Sequence, residues 1–239
     1  MQQTGNNNNS TLEEYNENVS GTNPGEINGL TINGNGKTVT INSIESAGNG
    51  GYLIFDATNL NVKDLTINYA DGLVGGIGLS SGTISNVTFY GGNYGVFPGA
   101  NGVTIEDCTF NGTKSSAVYY EEGRQGIVVE NNIFNTADGA YAITMRSDEQ
   151  FTDNTIYKGR VNIANSSSAT VTGNNFGQER FKVYNAATAT ISENTINNLV
   201  FNDETAVFST FENNDLSEEA QHALENANFP VAQIGDVKY

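Results

Sequence analysis

The hexapeptides VTGNNF (171–176), ISENTI (191–196) and FENNDL (211–216) share one pattern and follow one another at steps of 20 residues. In each, an apolar residue is followed by two other residues, an asparagine, one more residue and a second apolar residue. The same pattern recurs earlier, at slightly longer steps, in VKDLTI (62–67), ISNVTF (84–89), IEDCTF (105–110), VENNIF (129–134) and FTDNTI (151–156). A motif at a nearly constant spacing indicates one supersecondary unit that stacks on itself.

The fourth position of the motif changes along the chain from apolar residues to asparagine. Its occupants are Leu65, Val87, Cys108, Asn132, Asn154, Asn174, Asn194 and Asn214. Asparagine tolerates left-handed backbone geometry, and its amide both donates and accepts hydrogen bonds. Identical asparagines one coil apart therefore predict a hydrogen-bonded ladder at a bend, in a solenoid whose parallel strands lie about 4.8 Å apart.

The apolar residues on either side of this bend alternate with polar ones, as expected for strands with one buried face. A third short apolar segment precedes each motif, for example AITM (142–145) and FKVY (181–184). The sequence therefore predicts an all-β protein with three short strands per coil around an apolar core.

With its asparagine ladder, its apolar columns and the opening segment GLTINGNGKTVTI (29–41), the chain resembles the right-handed parallel β-helix, or pectate-lyase-like, superfamily. Within it, the resemblance is closest to surface and adhesin-like β-helix proteins. It covers roughly residues 27–216 and implies a single-stranded right-handed parallel β-helix. It implies little about activity, because this scaffold carries lyases, hydrolases, adhesins and phage fibres alike.

Open strand edges at both ends of a solenoid need covering. We expect residues 1–10 to be a disordered tether, 11–26 an N-terminal cap, 27–216 the β-helix and 217–239 a C-terminal helical cap. Thr11 and Glu14 form a capping-box pattern, which predicts a short helix running to about Asn18. The apolar side formed by Ala220, Ala223, Leu224 and Ala227 predicts the second helix.

The composition is strongly acidic, with 10 basic residues against 27 acidic ones and a net charge of −17 over 239 residues. This charge opposes binding to nucleic acid or anionic lipid. The sequence also has no apolar stretch long enough to span a membrane, so we expect no membrane insertion. We expect a monomeric, secreted or cell-surface protein from a bacterium or archaeon, with a polysaccharide or cell-surface glycan as its partner.

Seven of the ten basic residues fall between Lys114 and Lys182, and their register suggests a shared face. Arg160 and Arg180 each lie 11 residues before the first apolar residue of their own motif, and Asn162 and Lys182 each lie nine before it. Such residues stack on neighbouring coils, on the strand face that forms the saccharide groove in the resembled family. The candidate groove consists of Tyr119, Thr144, Arg160, Asn162, Arg180, Lys182 and Tyr184. Alternatively, these cations only offset carboxylates such as Glu179 and Glu204 and discourage aggregation.

Two functions remain open. The first is glycan or surface binding without catalysis, as in an adhesin. It is favoured because the single histidine, His222, lies in the predicted C-terminal helix and no Asp-Asp pair accompanies it, unlike the hydrolases of the resembled family. The second is a polysaccharide lyase for an anionic polymer, with Arg160 or Arg180 as the base and Lys182 and Tyr184 positioning the substrate.

We expect no cofactor and no metal site for the binding function, and the catalytic residues stay unassigned. Calcium is possible for the lyase, in which carboxylates would hold the ion that bridges to an acidic sugar. The candidate ligands are Glu121, Glu122, Asp138, Asp148 and Glu149, although no spacing unites them.

Overall fold

The computed structural model describes residues 15–20, 28–45, 51–164, 167–184, 188–201 and 210–226. These residues form a parallel β-solenoid of about seven turns, which confirms the predicted fold class. Part of the predicted tether and caps, including Ala227, lies outside the described residues, as does Glu204.

The strands follow one another in coils, each coil being one turn of the solenoid. The first eleven are β1 Tyr15–Ser20, β2 Thr31–Glu45, β3 Ile54–Ala57, β4 Leu60–Tyr69, β5 Ile77–Leu79, β6 Gly82–Tyr90, β7 Tyr94–Pro98, β8 Val103–Glu106, β9 Thr109–Asn111, β10 Ser116–Val118 and β11 Val128–Glu130. The next twelve are β12 Ile133–Asn135, β13 Tyr141–Met145, β14 Gln150–Thr152, β15 Thr155–Lys158, β16 Arg160–Ile163, β17 Thr170–Thr172, β18 Arg180–Val183, β19 Thr190–Ser192, β20 Thr195–Ile196, β21 Asn198–Phe201, β22 Thr210–Glu212 and β23 Asp215–Leu216. One helix follows, α1 Glu218–Asn226.

The number of strands per coil differs along the chain. From β8 to β16 each coil has three, with the bend separating the first two. In the earlier coils β4 and β6 run through the bend as single strands of ten and nine residues. A second sheet contains the remaining strand of each coil, in the order β3-β5-β7-β10-β13-β16-β18-β21. We call this eight-stranded sheet the groove sheet, because the candidate site lies on its outer face.

Both apolar columns beside the bend are buried, as predicted. The residues before the bend, from Val62 to Phe211, and those after it, from Ile67 to Leu216, are at most 5% exposed. The rings of Phe89, Phe110 and Phe134 stack with centroids 5.1 Å apart along the second column. The core is therefore a stack of similar side chains, and each coil contributes one layer.

We expected the ladder residue itself to adopt the left-handed backbone conformation at the bend. In the structure, the residue before the ladder residue adopts it. Asp107, Asn131 and Asp153 have φ of 53–55°, and each precedes a ladder residue. Asp and Asn adopt this conformation at little cost. The ladder side chain is thereby left to point into the core, where Asn132, Asn154, Asn174, Asn194 and Asn214 are at most 1% exposed.

The two ends differ from each other. The predicted helix through Asn18 is wrong over residues 15–18, because β1 is a strand that pairs in parallel with Val39–Glu45 of β2. A parallel strand satisfies the open backbone groups of the first coil, which a helix could not do. At the other end α1 buries Ala220 against the last coil, as predicted, and His222 is exposed beside Glu225. In the described part of the chain, no helix is long and apolar enough to cross a membrane.

Candidate functional site

The groove sheet carries a groove of about 450 Å³ on its outer face. Its lining includes four of the predicted residues, Tyr119, Thr144, Asn162 and Tyr184, together with Tyr141 and Arg146. These side chains meet because Thr144 of β13 pairs with Asn162 of β16, which in turn pairs with Lys182 of β18. Outward residues at matching positions therefore form a row across the coils.

The three predicted cations lie on the groove sheet but do not line the groove. Arg160 and Arg180 precede the paired residues Val161 and Phe181, so they lie side by side on neighbouring strands. The guanidinium of Arg160 lies 5.8 Å from the ring centre of Tyr141, and Nζ of Lys182 lies 4.4 Å from that of Tyr184. Arg160 and Lys182 thus flank the groove through contacts with two of its aromatic walls.

Asn162 is the most unusual residue of the site. It was predicted to face outward, yet it is only 3% exposed at the base of the groove. Its Nδ2 donates to Oγ1 of Thr144 at 3.4 Å, whereas its Oδ1 is buried and has no hydrogen-bond partner among the described residues. A buried acceptor without a donor costs about 1 to 3 kcal/mol, so this oxygen requires an explanation.

A buried carboxylate supports the loop that carries Arg146. Glu149 is fully buried, and its Oε1 accepts hydrogen bonds from the backbone N–H groups of Arg146 (2.9 Å) and Ser147 (2.8 Å). The hydroxyl of Tyr120 donates to the same oxygen at 2.6 Å. Burial, and then the charge of Glu149, raise the pKa of Tyr120 well above its ordinary value. Arg146 is therefore held at the groove, where its Nη1 lies 3.6 Å from Oε1 of Glu122.

Four of the five carboxylates considered for calcium have other partners, and one of these four is Glu122, which pairs with Arg146. Asp138 pairs with Lys158 at 2.9 Å, Glu149 is used by its own loop, and Asp148 accepts a bond from the Gly126 N–H at 3.0 Å. Within the described ranges no group of three or more His, Cys, Asp or Glu residues is placed to hold a metal ion. The described residues do not fit a calcium site, and we derive no step through one.

An aromatic cluster that sequence reasoning missed adjoins the groove. It consists of Tyr52, Phe55, Tyr94, Phe97 and Tyr119, whose ring centroids lie 5.1–5.9 Å apart in six pairs. A signal was present in the sequence, since YLIF (52–55) and YGVF (94–97) place the same two rings at the same spacing. We extended the candidate stripe toward the N-terminus only as far as Tyr119.

Comparison with known proteins bears on the fold alone. No curated protein and no solved structure gives a significant match to the chain. The sequence profile described as "Right handed beta helix region" matches residues 28–196, which is more than half of the chain. With the parallel coils and the ladder described above, this match places the protein in the right-handed β-helix family.

Proposed function

We propose that this protein is an adhesin-like β-helix module that binds a polysaccharide or cell-surface glycan along the groove sheet, without catalysis. We further propose that it acts as a monomer, outside the cell or on the surface of a bacterium or archaeon. A groove with aromatic walls and a few polar groups is the usual form of a site for a small or elongated ligand. The support is the arrangement of Tyr119, Tyr141 and Tyr184 around Asn162 and Arg146.

The single observation that carries the proposal is the unpartnered Oδ1 of Asn162. An acceptor at the base of a groove requires a ligand that donates a hydrogen bond. Sugar hydroxyls donate, and the apolar face of a sugar ring packs well against tyrosine. Arg146, whose Nη1 lies 3.6 Å from Oε1 of Glu122, adds further hydrogen-bond donors at one side of the groove, and both side chains line it.

Substitution of Asn162 tests the proposal. Asn162→Leu removes the unpartnered acceptor and keeps a similar side-chain volume, so we expect a free energy of unfolding equal to or above that of the parent. Binding on an array of plant, microbial and animal glycans should weaken by about tenfold or more, which corresponds to about 1.4 kcal/mol. The matched control is Asn135→Leu, at an exposed asparagine of β12 outside the groove.

Two results would contradict the proposal. If no glycan binds the parent protein, the β-helix acts only as a spacer. If glycans bind equally well to Asn162→Leu, the acceptor is satisfied by a water molecule and plays no part in recognition.

A polysaccharide lyase is the second candidate, and it rests on the adjacent cations Arg160 and Arg180. No carboxylate within the described residues forms an ion pair with either of them. The binding function has more support, because neither arginine lines the groove and the candidate calcium ligands are apart. Adding polygalacturonate, alginate or glycosaminoglycans and following the ultraviolet absorbance of unsaturated products tests the lyase. A steady rise that is lost in Arg160→Gln or Arg180→Gln would establish it in place of simple binding.

A further inference from the structure

The five rings of Tyr52, Phe55, Tyr94, Phe97 and Tyr119 form one continuous patch on the outer face of the groove sheet, which we call the aromatic platform. Phe97 lies at the centre, with ring centroids 5.4 Å from Tyr52, 5.9 Å from Phe55 and 5.6 Å from Tyr119. All five side chains are partly exposed, so each ring buries most of its area and leaves one part at the surface.

The platform spans four coils, from that of β3 to that of β10, and the coil of β5 within it contributes no ring. Strand β5 lies between β3 and β7, and it places Gly78 opposite Phe97. Gly76 lies beneath the rings, where an added Cβ would be 3.2 Å from Cβ of Tyr94 and 3.3 Å from Cδ1 of Tyr52. Rings from two non-adjacent strands therefore lean over the glycines of β5 and touch.

One side of the platform is polar. The hydroxyl of Tyr52 has a pKa raised to about 12, first by burial and then by its neighbours Tyr94, Tyr119 and Glu121. These groups therefore lie near one another. The rings of Tyr52, Tyr94 and Tyr119 follow one another at centroid distances of 5.7 and 5.1 Å, so the platform combines apolar ring faces with three phenol hydroxyls, as a sugar-binding surface does.

Tyr119 belongs to both the platform and the groove, so the two surfaces are continuous along the solenoid axis. We propose that the aromatic platform is a stacking subsite for successive rings of a linear polysaccharide whose neighbouring units occupy the groove at Asn162. The ligand is then a polymer that runs across the coils, and not a short glycan terminus. This inference rests on the proposed function, and it adds the length and direction of the ligand.

The ligand is a sugar chain because the groove and the platform bind two chemical features that occur together in a sugar. The groove offers an acceptor that requires a hydroxyl donor, and the platform offers flat rings for the apolar faces of pyranoses. A linear polymer is the one ligand that meets both demands in sequence along a continuous face. Units bound at the two subsites are covalently linked, so occupying the second should raise the affinity for long chains.

Chain length is the variable that tests the inference. The probes are oligogalacturonates, which are acidic, and cello-oligosaccharides, which are neutral, each from disaccharide to hexasaccharide, with affinity measured by calorimetry. In the parent protein we expect the affinity for at least one series to rise by about tenfold or more with length. In Tyr94→Ala/Phe97→Ala this rise should disappear, while disaccharide affinity stays within about twofold of the parent.

Two further variants separate stacking from general damage. The chain has no tryptophan, so Phe97→Trp should keep or increase the length dependence, and its fluorescence should change on binding the longer oligosaccharides only. Tyr157→Ala, at a tyrosine that is 66% exposed on β15, is the matched control and should behave like the parent. Thermal unfolding shows which variants are folded. If the double alanine variant does not fold, Phe97→Trp and the parent still decide the result.

The possible outcomes separate the two proposals. A length dependence that persists unchanged in the double alanine variant, or a Phe97→Trp signal that ignores chain length, overturns the platform and leaves groove binding intact. The absence of binding to both series at every length overturns the platform, and the glycan array of the Asn162 experiment then decides whether the proposed function fails with it.

Discussion

At the scale of single residues, the asparagine ladder is a device that satisfies buried polar groups across three coils at once. Oδ1 of Asn174 accepts from the backbone N–H and Nδ2 of Asn154, at 2.9 and 3.0 Å. Nδ2 of Asn174 donates to Oδ1 of Asn194 at 2.9 Å and to the carbonyl of Phe151 at 2.8 Å. Because every ladder amide is used in this way, the ladder is structural and is not a ligand site.

We predict that Asn174→Leu strongly destabilises the protein. The substitution leaves the backbone N–H of Asn154 and one N–H of its side-chain amide buried without an acceptor, and each such group costs about 1 to 3 kcal/mol. Urea unfolding followed by circular dichroism measures the effect. The control is Cys108→Val, in an earlier ladder position whose backbone N–H still donates to Asn132. An unfolding midpoint of Asn174→Leu equal to that of the control would contradict the ladder account.

At the scale of elements, each short strand is stable only as one layer of the stack. Strand β12 has three residues, and it buries Phe134 while exposing its neighbour Ile133 by 40%. The ring of Phe134 stacks on Phe110 at 5.1 Å and tilts against Phe151 at 5.9 Å. Its contacts are therefore with the coils above and below, which joins neighbouring elements.

We predict that Phe134→Ala costs about 3 to 5 kcal/mol, through lost burial and a cavity between two coils. Ile133→Ala, on the opposite face of the same strand, should change stability by no more than about 0.5 kcal/mol. Both values come from denaturant unfolding at neutral pH. Similar losses in the free energy of unfolding for the two variants would show that both faces of β12 are buried.

At the scale of the whole molecule, six of the ten basic residues divide into two groups. Lys114, Arg146 and Lys158 pair with Asp71, Glu122 and Asp138 respectively. Arg160, Arg180 and Lys182 form no ion pair within the part of the chain that the structure describes. All three side chains are partly exposed on an acidic protein. Arg160 and Lys182 contact tyrosine rings, and the Nε of Arg180 is buried without a hydrogen-bond partner among the described residues.

We therefore predict that replacing Arg160, Arg180 and Lys182 together by glutamine leaves stability nearly unchanged, within about 0.5 kcal/mol for each substitution. Any binding of polygalacturonate that rests on these cations should weaken in the variant. In the parent it should weaken with salt, because the screening length falls from about 10 Å at 0.1 M to about 3 Å at 1 M. A loss of several kcal/mol in thermal unfolding would instead assign the three side chains to the scaffold.

We also predict that the fold loses stability in alkali. Burial raises the pKa of the Cys108 thiol from 9.0 to about 12, and it also raises the pKa values of the Tyr69 and Tyr120 hydroxyls. The folded state keeps protons that the unfolded chain releases. The contribution of these groups is therefore complete below the ordinary pKa values of 9.0 and 10.0, and it is lost as pH rises toward about 12.

Urea midpoints measured across this pH range test the alkaline prediction. The slope in the parent should be negative, and each group contributes at most about 1.4 kcal/mol per pH unit. Cys108→Val should have a shallower slope than the parent between pH 9.0 and about 12. A midpoint that stays constant over this range would contradict the prediction.

Much of the fold, and part of the site, followed from residue spacing. Tyr119, Thr144, Asn162 and Tyr184 all line the groove, although they lie 10, 7, 9 and 7 residues before the first apolar residue of the next motif. The outward face of the strands was predictable, whereas the exact register, such as Thr144 opposite Asn162, comes from strand pairing. The burial of Asn162 could not be predicted, since it depends on side chains from other coils. Nor could β1, because YNENVS (15–20) has no repeat motif, and its strand conformation comes from pairing with β2.

The sequence by itself determined the period of the solenoid, the residues that face inward and the ladder, because each is a local alternation repeated at constant spacing. Only the tertiary structure decided which outward side chains meet, which cations find carboxylates and which buried polar atoms of the described residues, Oδ1 of Asn162 among them, have no partner. Rings from β3 and β7 touch across the glycines of β5, although about 40 residues separate them. Such contacts depend on how far side chains lean across a sheet of strands about 4.8 Å apart, and a linear pattern does not encode that distance.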